Sequence, residues 1–239
     1  MPMTDETIQR LNDINRQFYE ITAPEFDQTR GQAWAGWLPL SEHIKDAPLS
    51  VLDVGCGNGR FGLFLAETLS APIEYHGIDN NAQLLDYARQ ALAPLESIRA
   101  TIEQHDIINE TLPDKSYDVV VLFGVIHHIP SLENRQKFIQ ALSQRVNDGG
   151  LLVFAAWRFY EYERFRKRLV DWDESISVEK NDYLLDWRRG ERALRYCHYV
   201  DDAELDNLVA STQLTEIDRY RADGRDNKMN VYSVLRKGR

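Results

Sequence analysis

Apolar residues recur at helical spacing near the start of the chain, where Ile8, Leu11, Phe18 and Ile21 share one face of residues 4–22. A second helix is expected over 32–46, carrying Trp34, Trp37, Leu38 and Ile44. Beyond this point short apolar runs alternate with helical patterns. LSVLDVG, IEYHGID, IRATIEQHD, YDVVVLFGV and GGLLVFAAW read as strands. GRFGLFLAETL, NAQLLDYARQAL and SLENRQKFIQALSQRV read as helices between them. That βαβ order predicts an α/β fold with a parallel, doubly wound sheet.

After Trp157 the rhythm breaks. FYEYERFRKRLVDW reads as a helix, and residues 173–199 as an irregular, polar and aromatic insertion. VDDAELDNLVAST is a helix with an acidic start. LTEIDRYRA and KMNVYSVLRK, joined by RADGRDN, read as a closing antiparallel strand pair.

Composition narrows the class. The chain has 239 residues, 43% of them hydrophobic, enough for one large domain or a domain with a lobe. No apolar run approaches a membrane span, and MPMTDETIQR lacks a signal-peptide pattern. Two cysteines, Cys56 and Cys197, make neither a disulfide framework nor a metal cluster, and no metal site is expected. A reducing, cytoplasmic setting is the default expectation. The net charge is −10, but residues 151–239 hold 17 basic and 17 acidic residues, so the excess acid lies in the first 150. Basic clusters such as ERFRKRL and WRRGERALR read as solvated faces or as a local phosphate-binding patch.

The candidate chemistry begins at VLDVGCGNGRF. Gly55, Gly57 and Gly59 follow the first strand and open a helix, where bare main chain and helix amides can meet a ligand. A structural tight turn could use the same glycines. Asp79 ends the next strand, where an acid can take both hydroxyls of a ribose, or cap the helix that follows. The loop lacks the GK[ST] ending of a P-loop, and Arg60 breaks GxGxxG.

In this order and spacing DVGCGNG, GID, HDI and YDVVVLFGVIHHI resemble the class I S-adenosylmethionine-dependent methyltransferases, over about residues 49–157 plus the final strand pair. The resemblance implies a mostly parallel seven-stranded Rossmann-like sheet with a terminal antiparallel pair, and S-adenosyl-L-methionine as cofactor. It places Gly55, Cys56 and Gly57 at the methionine part, and Asp79 at the ribose with Asn80 beside it. Asp106 would accept from the adenine amino group under Ile107, and Phe123 with Gly124 and Val125 would line the sulfonium. The expected organisation is a helical N-terminal lid, 1–46, and a methyltransferase domain, 47–239, with a substrate-side insertion at about 158–199.

The flanks narrow the likeness. Tyr19, Ala23, Phe26, Thr29 and Arg30, then Arg195, Tyr196 and His198, then Gly224-Arg225-Asp226-Asn227 are similar to segments of the tRNA wobble-uridine methyltransferases, which esterify a carboxymethyl group on uridine. Cys197 and Gly224 depart from that pattern. The resemblance implies tRNA as substrate and, as in eukaryotic members, a small zinc-binding activator subunit as partner. It puts Tyr19 and Arg30 beside the cofactor, and Arg30, His127, Arg195, His198 and Arg225 around the methyl acceptor. His128 is a weaker candidate that could cap the next helix.

The chemistry agrees with a carboxylate acceptor. Its pKa near ~4 leaves it ionised at neutral pH, so the enzyme needs cationic donors to aim it rather than a general base. Methylation of a small molecule carrying a carboxylate or hydroxyl is the alternative, and a non-catalytic methyltransferase-like subunit a second one.

Overall fold

The computed structural model describes residues 3–28, 31–44, 48–173, 175–188 and 191–239. Seven helices and ten strands are described in chain order: α1 (Asp5–Gln28), α2 (Trp37–Ser41), β1 (Leu49–Val54), α3 (Arg60–Thr68), β2 (Ile73–Asp79), α4 (Ala82–Leu92), β3 (Ile98–Gln104), β4 (Tyr117–Phe123), α5 (Leu132–Gln144), β5 (Val146–Trp157), α6 (Glu163–Arg166), β6 (Leu169–Val170), β7 (Asp182–Trp187), β8 (Ala193–His198), α7 (Asp202–Ser211), β9 (Thr215–Ala222) and β10 (Asn230–Arg236).

The main sheet has the order β3-β2-β1-β4-β5-β10-β9. Its first five strands run parallel, and β10 is antiparallel to both β5 and β9. Central strands are apolar on both sides because both faces are covered. Val51, Val119 and Val121 join one core with Trp37, Phe61, Phe64 and Leu92, from α2, α3 and α4. Leu52, Val54, Val120 and Leu122 join the other with Ile139, Leu142, Leu205 and Leu208, from α5 and α7. The chain order reverses between β1 and β4, which opens a crevice at their carboxyl ends.

Three expectations are corrected outside this sheet. The first helix runs to Gln28, through Pro24. Buried Thr22 and Ala23 carry it past Ile21, and the Thr22 hydroxyl donates to the Phe18 carbonyl. The second helix shrinks to Trp37–Ser41, because tertiary bonds fix its approach. The Gly36 amide donates to Asp223, the Tyr220 hydroxyl donates to the Gly36 carbonyl, and Trp34 stacks on Trp37.

The third correction concerns 158–199. Instead of one helix there is a 3-10 turn, Phe159–Glu161, then the single-turn α6 and the short β6. Instead of irregular chain, β7 and β8 pair antiparallel in a second sheet, β6-β7-β8. Arg158 stops the helix early. Its guanidinium is buried, donating to the Val200 carbonyl and pairing with Asp202. Trp157, Phe159, Phe165, Tyr183 and Tyr199 pack around Leu185 and Cys197 beneath the new sheet.

One buried ionic cluster ties this sheet to the main fold. Arg135 on α5 is fully buried, donating to Glu204 at 2.6 Å, to Glu179 at 3.1 Å and to the Ile129 carbonyl at 3.0 Å. His198 joins Asp182 and Glu204, each at 2.7 Å. Removing the buried central cation leaves half-buried Glu179 and Glu204 without their partner. Arg135→Ala should therefore cost about 3–5 kcal/mol of stability in urea unfolding. A loss below about 1 kcal/mol would contradict the role of this cluster.

Candidate functional site

Two chambers meet at the carboxyl ends of β1 and β4. The smaller, about 140 Å³, has the glycine loop, Asp79, Asp106 and the tip of β4 as its walls. Its roof is one face of α1, with Asn12, Asn15, Arg16 and Tyr19 at helical spacing. The larger, about 930 Å³, is an open cleft between α1, the tip of β4 and the β6-β7-β8 sheet. Tyr19, Trp34, Arg60 and Gly124 border both.

The loop geometry follows from its glycines. Gly55 has φ +74°, and a Cβ there would lie 2.2 Å from Val125 Cγ2. A side chain would therefore be strained and would clash with the β4 tip. The turned backbone aims the Gly57 amide at Asp79 Oδ2, 3.0 Å away, while the Asn81 amide donates to Oδ1 at 2.9 Å. Burial pushes the Asp79 carboxyl up, and these amide bonds restrain it. Asn81, rather than Asp79, caps α4, accepting from the Leu84 amide.

Asp106 follows β3 and is more exposed. Partial burial raises its carboxyl, but hydrogen bonds from Asn109 and Ile108 and the charge of Arg16 outweigh that and hold it low. Arg16 Nη2 lies 3.2 Å from Asp106 Oδ2, so the roof is tied directly to the wall. A second tie joins α1 to β4 and β8. His128 Nδ1 meets the Tyr196 carbonyl at 2.9 Å, which leaves Nε2 to accept from the Tyr19 hydroxyl at 3.0 Å. A third runs from Asn58 in the glycine loop to Asp27 at the end of α1.

In the larger cleft the most distinctive group is Arg195. It is 7% exposed, and its guanidinium lies 4.8 Å from the Trp157 ring centroid and 5.0 Å from that of Phe18. Its Nε is buried with no hydrogen-bond partner, and no carboxylate among the described residues pairs with it. His127 lies beside the same Trp157, with ring centroids 5.4 Å apart.

The expected site residues divide as follows. Tyr19, Gly55, Cys56, Gly57, Asp79, Asn80, Asp106, Ile107 and Phe123 all border the smaller chamber. His127 and Arg195 border the larger. His198 is corrected: it borders neither chamber, and both ring nitrogens are engaged by Asp182 and Glu204. Arg225 is corrected too: it lies exposed on the β9–β10 connection, while Gly224 and Met229 from that connection reach the cleft. Asp226, next to Arg225, accepts from the Tyr162 hydroxyl. His128 does not cap α5; Ser131 does. Arg30 lies outside the described residues.

Sequence reasoning missed Asn12, Asn15 and Arg16. Their spacing with Tyr19 marked a polar stripe on α1, but nothing in the stripe said what it faced. It also missed Arg60 and Trp187 in the cleft, and read Arg164 and Arg168 only as part of a basic cluster that is a solvated face or a phosphate patch. Two groups bring ligand-type atoms within 4.8 Å of one another: His127, His128 and Cys197, and Glu179, Asp182 and His198. Hydrogen bonds already use His128 and His198, and burial pushes the Cys197 thiol up to about 11, away from the thiolate that binds metal.

The methyltransferase-domain family profile matches residues 45–212, and the chain belongs to that family. Among its relatives, the probable tRNA methyltransferase 9B of Bos taurus is 26% identical over 175 residues, which cover 72% of this chain and 35% of that protein. The tRNA (carboxymethyluridine(34)-5-O)-methyltransferase of Saccharomyces cerevisiae is 23% identical over 155 residues, covering 64% of this chain and 51% of that protein. The chain thus spans about a third to a half of the length of these relatives. Among solved structures, an S-adenosylmethionine-dependent methyltransferase from Methanosarcina mazei superposes with a TM-score of 0.66 at 20% identity, covering 84% of this chain and 97% of that one.

The chain carries a methyltransferase domain, and its fold is shared with a solved S-adenosylmethionine-dependent methyltransferase. The floor of the smaller chamber suits the ribose of such a cofactor. Each oxygen of the Asp79 carboxylate accepts one amide hydrogen, which leaves acceptor capacity on both for a vicinal diol. Among the described residues no helix is long and apolar enough to cross a membrane.

Behind the loop, Asp53 is buried and accepts from the Tyr75 hydroxyl. Burial pushes its carboxyl up from 3.8 to about 7; the Tyr75 bond and Arg60 oppose this, and the charge of Asp79 adds to it. A raised acid stabilises the fold fully below its unfolded value of 3.8 and loses that contribution as pH rises through about 7. Asp53→Asn cannot ionise. It should therefore gain stability relative to wild type as pH climbs from about 5 to about 8 in urea unfolding. A difference that stays constant across that range would contradict the assignment.

Proposed function

We propose that this methyltransferase esterifies the carboxylate of a carboxymethyl-type wobble uridine in tRNA. The observation that carries the reading is Arg195, a buried guanidinium without a carboxylate partner, walled by Phe18 and Trp157 and facing the open cleft. Such a group is built to receive a planar anion. The flanking motifs and the names of two relatives favour the tRNA nucleoside as the bearer of that anion.

In this reading Asp79 holds the ribose hydroxyls of the cofactor, and Asp106 accepts from its adenine amino group. Asn80 and Ile107 flank them, and Gly55, Cys56 and Gly57 take the methionine part. Phe123, Gly124 and Tyr19 sit where the chambers join. When bound, S-adenosylmethionine would supply the electrophile, a methyl group on a sulfonium whose neutral thioether is the leaving group. Arg195 holds one carboxylate oxygen and leaves the other aimed at the junction, which converts binding into orientation. No proton moves, so His127 need not act as a base; it lines the acceptor side beside Trp157. The aromatic walls exclude water, which favours a step in which opposite charges cancel. The α1 segment acts as a lid, and a small zinc-binding activator subunit belongs to the same reading through the family likeness.

The test is mass spectrometry of nucleosides from carboxymethyluridine-containing tRNA incubated with the chain and S-adenosylmethionine, with and without a candidate activator subunit. A methyl ester is expected, formed at a rate nearly flat with pH above the acid's pKa. Arg195→Gln should lower kcat/KM about ten- to a hundredfold, the loss of one charge-assisted contact. No ester, or a rate that rises steeply from about pH 7 to 9, would point instead to a hydroxyl or amine on a small molecule.

A further inference from the structure

The arginines of this chain are unevenly paired. Several face acids: Arg10 meets Asp173, Arg89 meets Asp86, Arg219 meets Glu216 and Asp206, and Arg221 meets Glu161. In WRRGERALR, Arg188 and Arg192 both pair with Asp186, at 2.7 and 3.6 Å, and Arg195 is the buried group of the cleft floor. In the ERFRKRL cluster Lys167 pairs with Glu163. Arg164 and Arg168 border the large cleft, and no carboxylate among the described residues pairs with either. In a chain of net charge −10, two unpaired cations at the mouth of a cleft mark a place for a ligand's negative charge.

Their mounting is specific. The Arg164 guanidinium lies 4.8 Å from the Phe165 ring centroid and 5.5 Å from that of Tyr162, with Met229 sulfur 3.8 Å from Nη2. Flat aromatic faces hold it and leave its N–H edge open. Arg168 is half-buried one turn further on, its carbonyl fixed by the Asp186 amide at 2.9 Å. A continuous ladder joins this rim to the cleft floor. Arg164 lies over Phe165, Phe165 meets Trp157 edge-on with centroids 4.8 Å apart, and Trp157 carries buried Arg195. Cations thus stand at both ends and aromatic rings between them. A nucleotide has the same order of parts: an anionic base substituent, a flat ring, and phosphates outside.

We infer that Arg164 and Arg168 form a phosphodiester-binding rim that holds the RNA backbone on either side of the nucleotide whose base enters the cleft. This rests on the tRNA reading above and puts the phosphate contact in ERFRKRL rather than in WRRGERALR, where Arg188 and Arg192 are already paired.

The experiment is fluorescence-anisotropy binding of an anticodon stem-loop oligonucleotide to the full chain between about 50 and 200 mM salt. The double variant Arg164→Gln, Arg168→Gln should bind about tenfold more weakly, with the log–log salt slope shallower by about 1.4, two single-strand phosphate contacts. Arg164→Lys with Arg168→Lys should restore most of the slope, which a folding defect would not allow. Arg99→Gln, on the exposed edge strand β3, should leave the slope as in wild type.

An unchanged slope in the double Gln variant would overturn the rim, even where the RNA is methylated and the substrate reading stands. Binding that needs both arginines, on RNA that forms no methyl ester, would uphold the rim and overturn the carboxylate reading. Uridine monophosphate competing as well as the oligonucleotide would overturn RNA in favour of a small phosphorylated ligand. No wild-type binding at about 50 mM salt would overturn rim and tRNA reading together.

Discussion

The hydrogen bond from the Gly57 amide to the Asp79 carboxylate, 3.0 Å long, is the contact on which the site depends. It joins the first crossover to the tip of the neighbouring strand, and it exists only because Gly55 and Gly57 turn with positive φ. A buried carboxylate is costly without donors, and here two amides supply them. The acid is consequently fixed in orientation with acceptor capacity to spare. Asp106 and the β4 tip complete the chamber around it.

The same economy of placement explains the second chamber. α1 roofs the first with one face, through Arg16 to Asp106 and Tyr19 to His128. A neighbouring face supplies Phe18 to Arg195, so one helix serves both chambers. The β6-β7-β8 sheet, anchored through Arg135, Glu179 and Glu204, presents Arg195 toward the junction from the other side. Tyr19, Trp34, Arg60 and Gly124 form the passage between them, and Trp34 lies where any side chain on Gly124 would reach it at 3.3 Å.

Much of the central sheet was legible because parallel strands buried on both faces leave long apolar runs, and the glycine loop leaves a local signature. The acids at strand tips were legible for the same reason: their positions follow from the ends of the runs. The segment 158–199 was not. Its strands carry DYLLDW and ALRYCH, whose alternation is obscured by charges that find partners only in three dimensions, such as Asp182 with His198. His198 was misplaced by its motif for that reason, since a histidine on a strand can face either side. Arg16 was missed because its partner, Asp106, lies 90 residues away. Arg195 borders the cleft, but its isolation from carboxylates is a property of the fold alone.

The socket made by Gly57, Asp79 and Asp106 is tested most directly by isothermal titration of S-adenosylhomocysteine into wild type and Asp79→Ala, each shown to melt cooperatively. Saturable binding in wild type, weakened at least about tenfold in the variant, is the expected result, since a charged hydrogen-bond acceptor is worth about 1.5–3 kcal/mol. Wild-type affinity in the variant would place the cofactor elsewhere and contradict the account.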